Sequence, residues 1–214
     1  MSQVKGLCVM DVDGTLILEE VIDLLGKEAG CEEEISQITS QTMRGELDFE
    51  RSLRARVALL KGLPVSVYDT VFKSIHLSKN AQEFISILQK NGILVGLVSG
   101  GFAPIVERLA KYLGISYFHA NELEVKDGFL TGQLVGEIVT AQVKKATLEK
   151  WRMELEIPIE ITIAIGDGAN DLLMLKSAGI SIAFCAKEIV KVEIACHVDT
   201  RDLLEVLPLI DFLE

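Results

Sequence analysis

The sequence predicts an α/β protein whose core is a doubly wound, Rossmann-like parallel sheet. Three observations predict it: short apolar runs of strand length recur, amphipathic helical patterns lie between them, and a long helical segment separates the first run from the second. Strands that alternate with helices form parallel sheets covered on both faces, with the ligand site at the carboxyl ends of the strands. We expect a small helical cap inserted after the first strand and a β-hairpin flap.

The predicted core strands are short apolar runs that lack the alternation of a half-exposed strand. They occupy residues 4–10, 93–98, 161–165 and 180–184. Apolar residues at helical spacing precede the second run and follow the second and third runs. These positions are Ala81, Phe84, Ile85 and Leu88, then Ile105, Leu109 and Leu113, and finally Leu172, Leu175 and Ala178.

The segment between the first two strands contains no strand-like run. Its apolar residues recur three or four positions apart, at Ile22, Leu25 and Ala29, at Ile35 and Ile38, and at Phe49, Leu53, Val57 and Leu60. We therefore predict a helical cap domain of residues 17–76, inserted into a core domain made of residues 1–16 and 77–214.

A second insertion is predicted at residues 122–132, where two alternating stretches flank Asp127-Gly128. An Asp-Gly pair between such stretches is typical of the tight turn of a β-hairpin. This is the predicted flap.

The charge balance limits the classes of partner. Lys and Arg number 21 against 32 Asp and Glu, a net charge of −11, so the chain repels phosphate backbones and we expect no nucleic-acid partner. No export signal and no apolar run of about 18 residues is visible, so we expect no membrane contact and a cytoplasmic location. We also expect a monomer or a homodimer. The 4 cysteines and 3 histidines lack zinc-ligand spacing, and we expect reduced thiols.

Two acidic clusters follow predicted strands. Asp11 and Asp13 are two apart in an extended segment, so their side chains point to the same side. Asp167 and Asp171 are four apart, which places them on one side of a helical turn, with Asn170 beside them. Turn formation or helix capping would also account for single members of these clusters.

Smaller polar groups follow the other strands. Ser99-Gly100-Gly101 lies between a strand and a helix, where backbone N–H groups and a hydroxyl can hold an anion. Lys144 lies near the start of the helix after the flap and offers a compact positive charge. Carboxylates, a hydroxyl and a lysine at one sheet edge predict a site for Mg²⁺ and a phosphomonoester, in which one carboxylate attacks phosphorus.

The motifs resemble those of the haloacid dehalogenase-like phosphatases, which carry D-x-D-x-T, a strand-end Ser or Thr, a Lys and a late D-x-x-x-D. Nearly the whole chain is similar to the members that hydrolyse phosphoserine. The similarity lies at residues 11–23, 43–50, 54–62, 98–102, 120–124 and 166–171, and the stretches within the cap are its most specific part. Position 14 is Gly, where these enzymes often carry Ser.

The resemblance implies Mg²⁺-dependent hydrolysis of O-phospho-L-serine through a phosphoaspartyl intermediate, the last step of serine biosynthesis. Asp11 would be the nucleophile and Asp13 the general acid and base. Mg²⁺ would be held by the side chains of Asp11 and Asp167 and the backbone carbonyl of Asp13, with Asp171 orienting the metal shell. The implied substrate-binding residues are Ser99, Gly100, Lys144 and Asn170 for the phosphoryl group, Glu20 for the ammonium, Arg56 for the carboxylate, and Met43 and Phe49 as pocket walls.

Two alternatives stay open at this point. One is phosphoryl transfer to an amino-alcohol such as homoserine, or hydrolysis of another small phosphoester. The other is a signalling receiver that accepts a phosphoryl group on Asp11, although a receiver has no use for the helical insertion.

Overall fold

The computed structural model describes residues 4–43 and 46–210, with Met43 described by its backbone alone. Seven strands in this part of the chain form one sheet in the order β4-β3-β2-β1-β5-β6-β7. Every neighbouring pair is parallel except the hairpin of β3 and β4. The strands are β1 Gly6–Met10, β2 Ile93–Phe102, β3 Tyr117–Lys126, β4 Phe129–Val135, β5 Thr162–Gly166, β6 Ile180–Phe184 and β7 His197–Val198. The predicted fold class is confirmed.

Helices cover both faces of the sheet and form the cap. They are α1 Val21–Ala29, α2 Glu32–Met43, α3 Phe49–Ala58, α4 Val67–Lys73, α5 Ala81–Lys90, α6 Ala103–Leu113, α7 Ala141–Glu154, α8 Leu172–Leu175 and α9 Glu188–Lys191. The helical cap after the first strand is confirmed, since α1 to α4 all lie between β1 and α5. Its exact limits, residues 17 and 76, stay a prediction. Within the described ranges, no helix is long and apolar enough to cross a membrane.

The central strand β1 is buried on both faces. Cys8 and Met10 belong to one apolar cluster, which includes side chains of α5 and α6, and Leu7 and Val9 belong to the cluster of α7 and α8. Successive side chains of a strand point to opposite faces, so a strand covered by helices on both sides must be apolar throughout. The continuous apolar run that predicted this strand reflects that double burial.

The register of the sheet places the polar loops at one edge. Met10 in β1 pairs with Leu97 in β2 and with Ile165 in β5. Asp11, Ser99 and Asp167 follow these positions by one or two residues, so the three loops begin side by side at the carboxyl ends of the strands.

The cap joins the core through two adjoining segments. Ile17 and Leu77 form an antiparallel bridge, and the N–H of Leu18 donates to the carbonyl of His76 at 2.9 Å. The N–H of Ser78 donates to the carbonyl of Leu16 at 2.9 Å. The chain therefore enters and leaves the cap at the same place.

The flap is part of the main sheet. Asp127 and Gly128 both have positive φ values, 53° and 82°, which is the geometry of the predicted hairpin turn. The sequence placed the flap at residues 122–132, but its first strand begins at Tyr117 and pairs with β2. The backbone of Leu130 exchanges hydrogen bonds with Gly62 and Leu63 at 2.8 Å each, so the flap is also tied to the cap.

Candidate active site

The loop after β1 makes one wide helical turn, Val12–Leu16, that brings Asp11 and Asp13 to the sheet edge. Gly14 in this turn has a φ of +73°, and a Cβ at that position would lie 3.0 Å from Oδ2 of Asp167. A side chain at position 14 would be strained and would crowd that carboxylate. The turn and the approach of Asp167 both favour Gly here.

Three carboxylates converge at this edge. Asp11, Asp167 and Asp171 each offer an oxygen, and these oxygens all lie within 4.8 Å of one another. Nζ of Lys144 lies 2.6 Å from Oδ1 of Asp11 and 2.7 Å from Oδ1 of Asp171. Asp11 and Asp171 are buried and Asp167 is half-buried. One ammonium cannot balance three such carboxylates, and hard oxygen donors in excess negative charge fit a hard divalent cation.

The raised pKa values of the carboxylates in the cluster reflect burial first and this charge imbalance second. Burial raises the pKa of Asp11 well above its ordinary value, and the charge of Asp171 adds to the effect. Burial, followed by the charge of Asp171, raises the pKa of Asp167 to about 6. Burial by itself lowers the pKa of Lys144, but the charges of Asp11 and Asp171 outweigh it, so the net pKa is raised and the ammonium stays protonated.

Asp171 is held at both of its carboxylate oxygens. Oδ1 binds Lys144, while Oδ2 accepts hydrogen bonds from the N–H groups of Asp167 and Gly168 at 3.2 and 3.0 Å. Asp167 in turn accepts a hydrogen bond from Oγ1 of Thr15 at 3.3 Å. Asp171 thus fixes the loop that carries Asp167.

Asp13 lies in a different environment from the other carboxylates. Its Oδ2 accepts a hydrogen bond from the N–H of Val21, the first residue of α1, at 3.1 Å. Its Oδ1 is buried and has no hydrogen-bond partner among the described residues. Burial, followed by the charge of Glu20, raises the pKa of Asp13 to about 8. A carboxyl group in this setting can carry a proton at neutral pH.

The loop after β2 contains a bulge. Ser99 pairs with Ala120 and Phe102 pairs with Asn121, so Gly100 and Gly101 are extra residues in β2. The N–H of Gly101 donates to Oγ of Ser99 at 2.8 Å. A Cβ on Gly101 would lie 3.0 Å from Oδ2 of Asp13, so glycine at 101 allows the loop to approach Asp13 closely.

Two further predicted residues border this loop region. Asn170 is half-buried in a short helical turn, Ala169–Asp171, beside the carboxylates. Phe49 begins α3 of the cap, and a Cβ on Gly100 would lie 3.7 Å from its Cζ. Phe49 of the cap therefore lies close to the core at the loop of Ser99.

The cap contributes charges of both signs. Glu20 immediately precedes α1 and is solvent-exposed, but the surrounding protein restricts its hydration and raises its pKa. Arg56 in α3 is half-buried, and in the part of the chain that the structure describes no carboxylate lies within 4.0 Å of it. The acidic groups whose charges act on the Arg56 guanidinium are those of Glu20 and Asp23. The side chain of Met43 lies outside the described residues.

The sequence interpretation assigned no role to three residues that hold the site together. Thr15 binds Asp167, Arg201 donates to the carbonyl of Gly14 at 2.7 Å, and Asn121 donates to the carbonyl of Gly100 at 2.7 Å. Thr15 belongs to the D-x-D-x-T motif, which could have identified it. Asn121 lies in residues 120–124, one of the stretches that carry the family resemblance, although the resemblance assigned it no role. No motif marks Arg201.

Comparison with known proteins identifies the class. A family model for the haloacid dehalogenase-like hydrolases matches residues 8–176, and the fold and the carboxylate site are those of such a hydrolase. A phosphoserine phosphatase of Streptococcus thermophilus is 56% identical over 211 residues, which cover 99% of this chain and 98% of the relative.

Two solved structures are also similar. One is a substrate-bound complex of a phosphoserine phosphatase, with a TM-score of 0.91, 45% identity and coverage of 96% of this chain and 98% of that one. The other is a phospho-aspartyl intermediate analogue of a phosphoserine phosphatase, with a TM-score of 0.90, 45% identity and coverage of 96% and 99%. This chain belongs to the phosphoserine phosphatase family of these hydrolases.

Proposed function

We propose that this protein hydrolyses O-phospho-L-serine to L-serine and inorganic phosphate, using Mg²⁺ and a phosphoaspartyl intermediate. The observation that carries the proposal is the half-buried Arg56, which has no ion-pair partner in the described chain and lies in the cap together with Glu20. A planar guanidinium fits a carboxylate with two parallel hydrogen bonds, and Glu20 offers the opposite charge to an ammonium. The serine part of the substrate carries both groups.

The phosphoryl group would bind at the sheet edge. Ser99 and Gly100 offer a hydroxyl and backbone N–H groups, Lys144 offers a positive charge, and Asn170 offers an amide. Phe49 and Met43 would line the cap side of the pocket. The carboxylates would repel this dianion on their own, so the site needs a cation to admit it.

Asp11 would act as the nucleophile. Its Oδ1 accepts hydrogen bonds from the N–H of Val12 at 2.7 Å and from Lys144 at 2.6 Å, which fixes the rotation of the carboxylate. A bond forms between an Asp11 oxygen and phosphorus, and the bond from phosphorus to the serine oxygen breaks. The protonated carboxyl of Asp13 gives its proton to the departing serine oxygen.

The second half of the reaction uses Asp13 in the opposite sense. Its carboxylate takes a proton from a water molecule, whose oxygen bonds to phosphorus while the bond from phosphorus to Asp11 breaks. Phosphate leaves, and both aspartates return to their starting protonation states.

Mg²⁺ would be held by the side chains of Asp11 and Asp167 and by the backbone carbonyl of Asp13, with Asp171 orienting that shell. When bound, it neutralises phosphoryl and carboxylate charge and so allows them to approach. The converging oxygens of Asp11, Asp167 and Asp171, with a single buried ammonium between them, support this assignment. The cytoplasmic location and the monomeric or dimeric state stay predictions.

A phosphate-release screen tests the proposal. The purified protein is given a panel of phosphorylated metabolites, with Mg²⁺ or with EDTA. We expect O-phospho-L-serine to give the highest kcat/KM, and EDTA to abolish release. Preference for a phosphomonoester without an amino acid group would contradict the assignment. Addition of homoserine tests the transferase alternative, since a transferase would form phosphohomoserine at the expense of free phosphate.

A further inference from the structure

Asn121 is a buried side chain that joins two parts of the site. It is 1% exposed and lies in β3. Its Nδ2 donates to the carbonyl of Gly100 at 2.7 Å, and its Oδ1 accepts from the N–H of Val139 at 2.8 Å. Both ends of the amide are therefore satisfied by backbone groups, one in the bulge of β2 and one just before α7.

The first contact fixes the peptide that holds Ser99. The peptide between Gly100 and Gly101 is trans, so its N–H points away from its carbonyl. Asn121 holds the carbonyl, and the N–H donates to Oγ of Ser99 at 2.8 Å. Because Oγ accepts this bond, the hydroxyl hydrogen of Ser99 is free to turn toward another acceptor. Hydrogen bonds in such a series also polarise one another.

The second contact fixes the start of the helix that carries Lys144. Val139 directly precedes Thr140, whose Oγ1 caps α7 by accepting from the N–H of Val143 at 3.4 Å. The N–H of Lys144 donates to the carbonyl of Thr140 at 2.9 Å. The hydrogen bond from Val139 to Asn121 therefore anchors the chain one residue before the cap of α7.

We propose that Asn121 is a positioning residue. It holds the Ser99 hydroxyl and the Lys144 ammonium at the distance from each other that allows both to bind the phosphoryl group. This rests on the proposed function, in which Ser99 and Lys144 bind that group. Asn suits the task because its planar amide offers one donor side and one acceptor side. An ionised Asp would keep the acceptor and lose the donor, and Leu would lose both at a similar volume.

The test compares product affinities in the full-length, Mg²⁺-loaded enzyme. Asn121→Asp and Asn121→Leu are assayed with p-nitrophenyl phosphate as the substrate and with inorganic phosphate and L-serine as inhibitors. We expect the Ki of phosphate to rise about tenfold, the effect of losing one or two hydrogen bonds. The Ki of L-serine, which binds in the cap, should change less than about twofold. If one of Asn121→Asp and Asn121→Leu does not fold, the same measurements on the other variant test the proposal.

Asn91→Asp is the matched control. Nδ2 of Asn91 also donates to a backbone carbonyl, that of Ile87, at 2.9 Å, but it lies at the end of α5, before the amino end of β2. We expect its phosphate and serine affinities to equal those of the wild type. An equal loss of phosphate affinity in this control would overturn the proposal.

A double-mutant cycle distinguishes specific positioning of Ser99 by Asn121 from a nonspecific disturbance of the whole site. In a Ser99→Ala background, Asn121→Asp should change the Ki of phosphate by a smaller factor than in the wild type, because the part of its effect that passes through Ser99 is already lost. A folded Asn121 variant with unchanged phosphate affinity, or with parallel losses for phosphate and serine, would overturn the proposal. If the wild type fails to bind serine at all, the proposed substrate is wrong, yet the phosphate measurements still test Asn121.

Discussion

Nζ of Lys144 lies 2.6 Å from Oδ1 of Asp11, and the two side chains are 0% and 5% exposed. The lysine also binds Asp171 at 2.7 Å. This ion pair therefore has two functions, since it orients the proposed nucleophile and also offsets charge that burial makes costly. We therefore expect stability and activity to depend on the same ammonium group.

Lys144→Met should lower both stability and activity. The variant keeps the length of the side chain but leaves Asp11 and Asp171 without their cation, and breaking such a buried pair costs about 3–5 kcal/mol. The measurement is the free energy of unfolding by urea in EDTA, together with phosphate release in Mg²⁺. Lys145→Met is the control, because Lys145 is 44% exposed and pairs with Glu149 on the surface. Equal stability of the two variants would contradict this prediction.

Asp11→Asn should abolish turnover while leaving the protein folded. The amide is a poor nucleophile, and loss of a covalent catalyst reduces kcat by about a thousandfold or more. Phosphate release and far-UV circular dichroism measure the two effects. Asp69→Asn, which changes an exposed aspartate paired with Arg108, should retain full activity. Comparable activity in Asp11→Asn and Asp69→Asn would refute the nucleophile assignment.

Arg56→Ala should weaken recognition of the amino acid group. The variant should raise KM for phosphoserine by about tenfold, the cost of a lost charge-assisted pair, with a much smaller effect on p-nitrophenyl phosphate. Arg54→Ala is the control, since Arg54 lies on the same helix and pairs with Glu50 on the surface at 2.8 Å. If Arg56→Ala affects both substrates equally, Arg56 does not recognise the carboxylate.

The metal-free protein should lose stability between pH 6.5 and 8. The pKa of Asp13 is raised to about 8, whereas an aspartate in an unfolded chain has a pKa of about 3.9. In that window the folded state binds more protons than the unfolded state, so the free energy of unfolding falls as the pH rises. Urea titrations in EDTA at several pH values measure the slope.

Asp13→Asn should flatten this slope, and excess Mg²⁺ should reduce it by favouring the ionised site. Asp199→Asn changes an exposed aspartate that pairs with Lys191 and should leave the slope unchanged. A free energy of unfolding that rises with pH in EDTA would show that Asp13 is not protonated in the folded protein.

The sequence predicted the buried centre of the fold and the β-hairpin well, but it missed some of the shortest elements. β6 matches the predicted residues 180–184, and β1 and β5 differ from their predictions by only a few terminal residues, because strands buried on both faces must be apolar. The two-residue strand β7 and the short helix α4 were not predicted. Segments this short have too few residues to show a period, and tertiary contacts decide their structure.

The candidate site also contains residues whose roles could be predicted from the sequence and one whose role could not. Asp11, Asp13, Asp167 and Asp171 could be named because motifs mark them, and the sheet register brings their loops together. Asn121 acts through two backbone groups, and the distance in sequence between Gly100 and Val139 gives no local pattern. The proposed positioning role of Asn121 depends on the bulge in β2, which is visible only in the folded structure.

The antiparallel bridge of Ile17 and Leu77 closes the cap insertion at a single point on the core. A segment whose two ends meet in this way can be exchanged or resized without stretching the sheet, because loop length adds little to the free energy of closure. If the cap recognises the amino acid part of the substrate as proposed, the cap can diversify while the core carboxylates are kept, provided that its contacts with Asp13 and the flap are kept too. A chimaera that keeps this bridge and carries a foreign helical cap is a practical route to a phosphatase with a new substrate.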